Sequence, residues 1–148
     1  MTPDRAADAA AIAYTQSVYA TEGDRGKLDG LASAFLPDGI LEFGGTAHQG
    51  HEAIKASLSA GTDESRRAAE GGTRVFLRHN LTTRRIEFDG PDAATVWTYF
   101  LVMSPRGLDH TGRYIDRFVR SGDRWLIAHR RVSLDWAAAE SPQRDAVG

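Results

Sequence analysis

Four strand-like runs follow one another through the second half of the chain, at residues 74–88, 93–104, 111–120 and 124–134. Asp89-Gly90-Pro91-Asp92, between the first two, and Ser121-Gly122-Asp123, between the last two, are turn sequences, so the runs predict consecutive antiparallel strands joined by hairpins. Helical periodicity is confined to the first half. Helices first and a strand meander afterwards make an α+β domain rather than a parallel α/β sheet. The 148 residues suit one domain over 1–136, with 137–148 as a frayed tail.

Thr2-Pro3-Asp4 is a helix start: a capping hydroxyl, proline in the first turn and an acid at the positive dipole end. Ala9, Ile12, Ala13, Gln16, Tyr19 and Ala20 recur at three- and four-residue spacing as one helix face, which Gly23 closes. A second helix is expected from about Gly26 to Phe35, ended by the turn Pro37-Asp38-Gly39. Ile40 to Phe43 reads as a short strand that Gly44-Gly45 terminates, and His51 to about Ser59 as a third helix. Residues 61–73 are polar and glycine-rich, a mobile loop or an extended helix end, and a loop there is placed to act as a lid.

The first strand raises the question of function. Val75, Leu77, His79, Leu81 and Thr83 share one face by strict alternation, so His79 points where apolar neighbours point. Ile86 and Phe88 fall on the opposite parity, and Arg84-Arg85 sits at the change, which predicts a bulge or strong bend. A sheet bent there curls around the helices and leaves His79 in the concavity. An imidazole in a pocket is a natural acid or base near neutral pH, and it needs a partner to fix its tautomer. Asp24 is the candidate, because it leaves the end of the first helix, where a carboxylate opposes the dipole. The plain alternatives are a half-buried histidine bonded to a carbonyl and an acid that caps the second helix.

Composition excludes several classes. With no cysteine there is no disulfide scaffold, thiolate metal site or cysteine nucleophile. A net charge of −2 gives no electrostatic reason to expect nucleic acid or an anionic membrane as partner. Asp4, Arg5 and Asp8 interrupt the alanine-rich start, unlike a signal peptide, and no run has the length of a membrane span. The expectation is a soluble cytoplasmic protein. His48 and His51 have the spacing of a metal pair but no third ligand nearby, so they read as surface histidines, and His110 reads as the tip of a hairpin.

The run YATEGDRGKLDGLASAFLPDGILEF from Tyr19, then Arg78-His79-Asn80, GRYIDRFVR from Gly112 and WLIAHRRV from Trp125 together resemble the SnoaL-like branch of the nuclear-transport-factor-2-like superfamily. The resemblance spans about Ala9 to Asp135. It implies a strongly curved, mostly antiparallel sheet wrapped round N-terminal helices, a cone with a deep pocket, and a homodimer. Scytalone dehydratase and hexachlorocyclohexane dehydrochlorinase, two catalytic members, are similar in placing an aspartate just after the first helix and a histidine on the first long strand. Asp24 and His79 match, which implies a dyad with His79 as base and Asp24 as its orienting carboxylate. The dehydratase's two tyrosine positions match Gly23 and Phe43, its second pocket histidine matches a position near Ser104 and its asparagine one near Tyr114, so its own substrate is not expected.

Replacement polar groups follow from parity. If Gly122-Asp123 is a two-residue turn, Phe118 faces Ile127, Asp116 faces His129 and Tyr114 faces Arg131; a one-residue slip brings Arg130 opposite Asp116 instead. Tyr114 and Asp116 are then candidates to line the pocket, with Tyr19, Phe43, Asn80 and Trp97 as further lining groups. The bland reading makes Asp116 half of a structural ion pair and the aromatics core. The resemblance implies a cofactor-independent lyase or isomerase, whether dehydratase, dehydrohalogenase or polyketide-cyclase-like, acting on a small apolar metabolite. The alternative is a non-catalytic binding or assembly module, such as the small subunit of a ring-hydroxylating dioxygenase.

Overall fold

The computed structural model describes residues 1–70 and 76–148, without the side chains of 62–70. Helix α1 spans Pro3–Asp24, and Thr2 caps it by accepting from the Arg5 N–H. Helix α2 is Leu28–Ala32, β1 is Phe35–Phe43, β2 is Thr46–Gln49 and α3 is His51–Glu70. Strands β3 (Arg78–Phe88), β4 (Ala93–Ser104), β5 (Gly107–Ser121) and β6 (Arg124–Ala137) follow, and a short 3-10 turn covers Arg144–Ala146. One sheet holds all six strands in the order β2-β1-β6-β5-β4-β3, antiparallel except for the parallel β1–β6 pair. The fold is the expected α+β class, with a curved, unclosed sheet around N-terminal helices.

The sheet bends at bulges. In β3, Leu81 pairs with Phe100 and Arg84 with Thr98, so Thr82 and Thr83 together oppose Tyr99. The extra residue lies just before the Arg84-Arg85 position read from the sequence, and it turns Arg84, Ile86 and Phe88 to the side that Leu77, His79 and Leu81 face before it. The β5–β6 hairpin carries another. Phe118 faces Ile127 as expected, but Ala128 is the additional residue, so Arg117 faces His129, Asp116 faces Arg130 and Tyr114 faces Val132. The slipped register is therefore the one adopted beyond the bulge.

Several elements differ from expectation. Helix α1 runs through Gly23 to Asp24, and Gly26 at φ 70° makes the left-handed exit. Helix α2 is shorter than 26–35 because the chain enters β1 at Phe35, so Pro37-Asp38-Gly39 is an irregularity inside a strand. Gly44 and Gly45, both at positive φ, do not simply end β1; they form a two-residue hairpin to β2, a strand of four residues too short and polar to stand out. Helix α3 extends to Glu70, well past Ser59. The rest of the expected lid loop, residues 71–73, and the start of the first long strand, with Val75, lie outside the described residues. The tail is folded: β6 continues to Ala137, Ser141 is buried, and Val147 bridges to Leu134.

The core lies between α1 and the concave face. Ile12, Tyr19, Phe35, Val96, Phe118 and Ile127 pack there, together with a polar set on the same helix face. Asp8 accepts from Trp125 Nε1 (2.9 Å), Thr15 donates to the Trp125 carbonyl and Gln16 donates to Thr98 (2.9 Å) and Asp116 (3.2 Å). Buried polar side chains persist only when bonded in this way, and these bonds fix how α1 lies on the sheet.

Candidate active site

Asp24 is the last residue of α1, where its carboxylate opposes the helix dipole at a cost of about 0.3–1 kcal/mol. Two bonds to one residue of β3 offset that cost: Asp24 Oδ2 accepts the backbone N–H of His79 at 2.9 Å, and Oδ1 accepts the ring Nδ1–H at 2.6 Å. A carboxylate can only accept, so Nδ1 carries the shared proton, and in the neutral imidazole Nε2 keeps its lone pair. Nε2 has no hydrogen-bond partner among the described residues.

His79 borders a cavity of about 470 Å³, walled by β1, α3, β5, β6 and the C-terminal turn. A second hollow of about 600 Å³ lies toward Asp24 and α2, and shares Tyr19, Leu58, Gly61 and His79 with the first. Apolar walls come from Leu41, Phe43, Leu58 and Phe100. Phe43 thus lines the hollow as expected.

Tyr19 and Tyr114 also line it, their rings edge-to-face at 5.9 Å. The Tyr114 hydroxyl has no hydrogen-bond partner among the described residues, while the Tyr19 phenol lies within the influence of the Arg130 guanidinium, whose Nη1 is the sole buried side-chain polar atom left without a partner there. The Tyr114 oxygen therefore opens on the cavity that both residues line. Burial pushes the two phenols above their usual pKa, so they remain protonated donors.

Arg130 lies behind these rings, 4.3 Å from the Tyr19 centroid and 3.8 Å from that of Tyr114. Its Nε and Nη2 each donate to Asp116 at 2.8 Å, and both side chains are fully buried. Asp116 is accordingly committed to Arg130 and Gln16 and does not line the cavity, which corrects its expected place as a substrate-binding group. Asn80 and Trp97 are corrected too. Alternation turns both to the convex face, where Asn80 is exposed and bonds to the Arg78 carbonyl, and Arg85 lies 5.0 Å over the Trp97 ring.

His110 is the residue that sequence reasoning missed. It is no hairpin tip: β5 begins at Gly107, and His110 is a buried strand residue whose ring lies 6.3 Å from that of His79 on the cavity wall. Val102 pairs with His110 and Met103 with Leu108, so Asp109 is an extra, bulged residue. The bulge lets two consecutive side chains meet, and Asp109 Oδ2 accepts from His110 Nδ1 at 2.7 Å. Burial pulls the His110 pKa below the ordinary imidazole value, against the raising effect of Asp109. The ring is therefore neutral at neutral pH. His48 and His51 serve separate ends: His51 Nε2 lies 3.1 Å from the carbonyls of Phe35 and Leu36, while His48 packs on Phe43.

The SnoaL-like domain family matches residues 4–131. The chain belongs to this family. Among solved structures, a SnoaL-like fold is shared with a candidate scytalone dehydratase from Novosphingobium aromaticivorans, at 21% identity and TM-score 0.77, covering 93% of this chain and 91% of that one. A Mycobacterium tuberculosis protein of unknown function superposes at TM-score 0.75 with 26% identity, covering 95% and 80%. A Catenulispora acidiphila protein solved in complex with S-DNPA shows 29% identity and TM-score 0.73, covering 88% and 95%. No curated protein sequence matches the chain. No described helix is long and apolar enough to cross a membrane.

Proposed function

We propose that this SnoaL-like protein is a cofactor-independent lyase or isomerase that removes a proton from an activated carbon of a small apolar metabolite. The observation that carries the reading is the clamp of Asp24 on His79, which leaves Nε2 as a base at the wall of a cavity also lined by two phenols. A substrate carbonyl bonded to Tyr19 or Tyr114 has an acidified neighbouring C–H, because the hydroxyls stabilise the enolate oxygen as charge develops. His79 Nε2 takes that proton, and Asp24 stabilises the imidazolium. The proton then goes to a departing oxygen in an elimination or to another carbon in an isomerisation. A cyclase-like closure starts from the same carbanion. Neutral His110 presents a second acceptor nitrogen, suited to a substrate hydroxyl.

The convex face exposes Tyr99, Met103, Leu108 and Trp136. We assign this face to a second copy of the chain, in a homodimer that sedimentation would detect.

A nitrobenzisoxazole, whose ring opens when a base removes its carbon-bound proton, tests the chemistry without knowledge of the natural substrate. Wild type is expected to exceed His79→Ala by about 10²–10⁴ in rate. Equal rates in the two proteins would exclude His79 as base and favour a binding or assembly module instead.

A further inference from the structure

The C-terminal segment past β6 packs against Asp109, the carboxylate that bonds the second imidazole of the cavity wall. Ala138 N–H bonds to the Asp109 carbonyl at 2.8 Å, which brings the chain back over the bulge in β5. Ser141 then lies buried with its Oγ 2.6 Å from Asp109 Oδ2, while the Gln143 N–H donates to the same Oγ at 3.1 Å. Gln143, Ala146 and Gly148 complete the cavity wall beside His110.

The direction of every bond in this chain is fixed. A backbone N–H only donates, so Ser141 accepts from Gln143 and has its single hydroxyl proton for Asp109. An ionised carboxylate only accepts, so Oδ2 takes one proton from Ser141 and one from His110 Nδ1. Nε2 of His110 is then an acceptor on the cavity side, as is Nε2 of His79 opposite. With Asp109 ionised, this arrangement satisfies all four groups at these distances.

We propose that Asp109 and Ser141 are positioning residues that hold His110 in the tautomer with Nε2 toward the cavity, so that the C-terminal segment is a working part of the site. This rests on the proton-transfer reading only for its purpose, since the tautomer itself is measurable with no substrate present. The groups that face the His110 ring are Asp109 on its own strand and His79 from β3 with Asp24 behind it, with the uncharged Phe100 ring 6.0 Å away.

Long-range proton–nitrogen NMR correlations of the histidine rings, in isotope-labelled full-length protein at mildly alkaline pH, read the tautomer directly. Wild-type His110 is expected as the Nδ1–H form. Asp109→Asn should convert it to the Nε2–H form, as loss of the acid in an Asp–His pair does. Ser141→Ala should give a mixture of both forms, and Ser141→Thr should restore the wild-type pattern, which a merely structural role for the segment would not require. An Nε2–H signal in wild type, or a Ser141→Ala spectrum identical to wild type, would overturn the proposal. Ser141 is the safer site if Asp109→Asn does not fold. A tautomer that behaves as stated in a protein inactive on nitrobenzisoxazole upholds the positioning while removing the proposed chemistry.

Discussion

Replacing Arg130 by methionine takes the guanidinium from beneath the cavity floor while keeping most of its volume. The cation makes two 2.8 Å bonds to Asp116 and lies 4.3 and 3.8 Å from the centroids of Tyr19 and Tyr114. Both members of the pair are excluded from water, so removal of one leaves a buried carboxylate with only Gln16 and, through it, Arg84 nearby. Breaking a buried pair in this way costs about 3–5 kcal/mol. At about 3 °C per kcal/mol for a chain of this size, the melting temperature should fall by about 10–15 °C. Urea unfolding of Arg130→Met, Asp116→Leu and the double variant separates the pair from its surroundings. The double variant should lose far less than the singles combined, because it buries no uncompensated charge. A loss below about 1 kcal/mol for Arg130→Met, or strict additivity in the double variant, would refute the reasoning.

Two further predictions concern the cavity walls. Burial holds the His110 pKa below its unfolded value, so the unfolded chain takes up this proton first as pH falls. That contribution is absent above the ordinary imidazole value of about 6.5 and destabilises progressively below it. Stability measured from pH 7 toward pH 5, endpoints chosen to span about that value, should therefore fall more steeply for wild type than for His110→Gln, and parallel curves would remove the assignment. Gly112→Ala places a methyl 2.2 Å from the Ser133 carbonyl oxygen and 2.7 Å from the Phe100 ring, beneath the stacked Phe100–Tyr114 pair. Overpacking should cost about 1–3 kcal/mol in urea unfolding, and an unchanged midpoint would show that the strand yields freely.

The pair at the centre of the site was legible because each partner broke a local rule. Asp24 opposes its helix dipole, and His79 interrupts an apolar strand face; the family resemblance joined them. Alternation also placed Tyr114 inward, since nothing between Tyr114 and Phe118 disturbs the period of two. What stayed hidden depends on bulges. Ala128 shifts the β5–β6 register by one, which gives Asp116 to Arg130 rather than His129. The bulge at Asp109 puts neighbours on a common face, so no periodic reading pairs Asp109 with His110. The turn residues Pro105-Arg106-Gly107 made His110 read as a hairpin tip, whereas β5 begins at Gly107 and carries His110 into the cavity wall. Ser141 gave no signal either, because one side-chain bond and a short bridge hold the tail, not a periodic apolar face. Asn80 and Trp97 are not lining groups for the opposite reason: strict alternation puts both on the convex side, whatever their polar or aromatic character.

The most direct test of the Asp24–His79 unit is the rate of nitrobenzisoxazole opening by the Asp24→Asn/His79→Ala double variant, set beside each single variant. Groups that act as one unit are strongly non-additive, so the double variant should be no slower than His79→Ala alone. A double loss equal to the product of the two single losses would contradict the account, since each residue would then be working without the other.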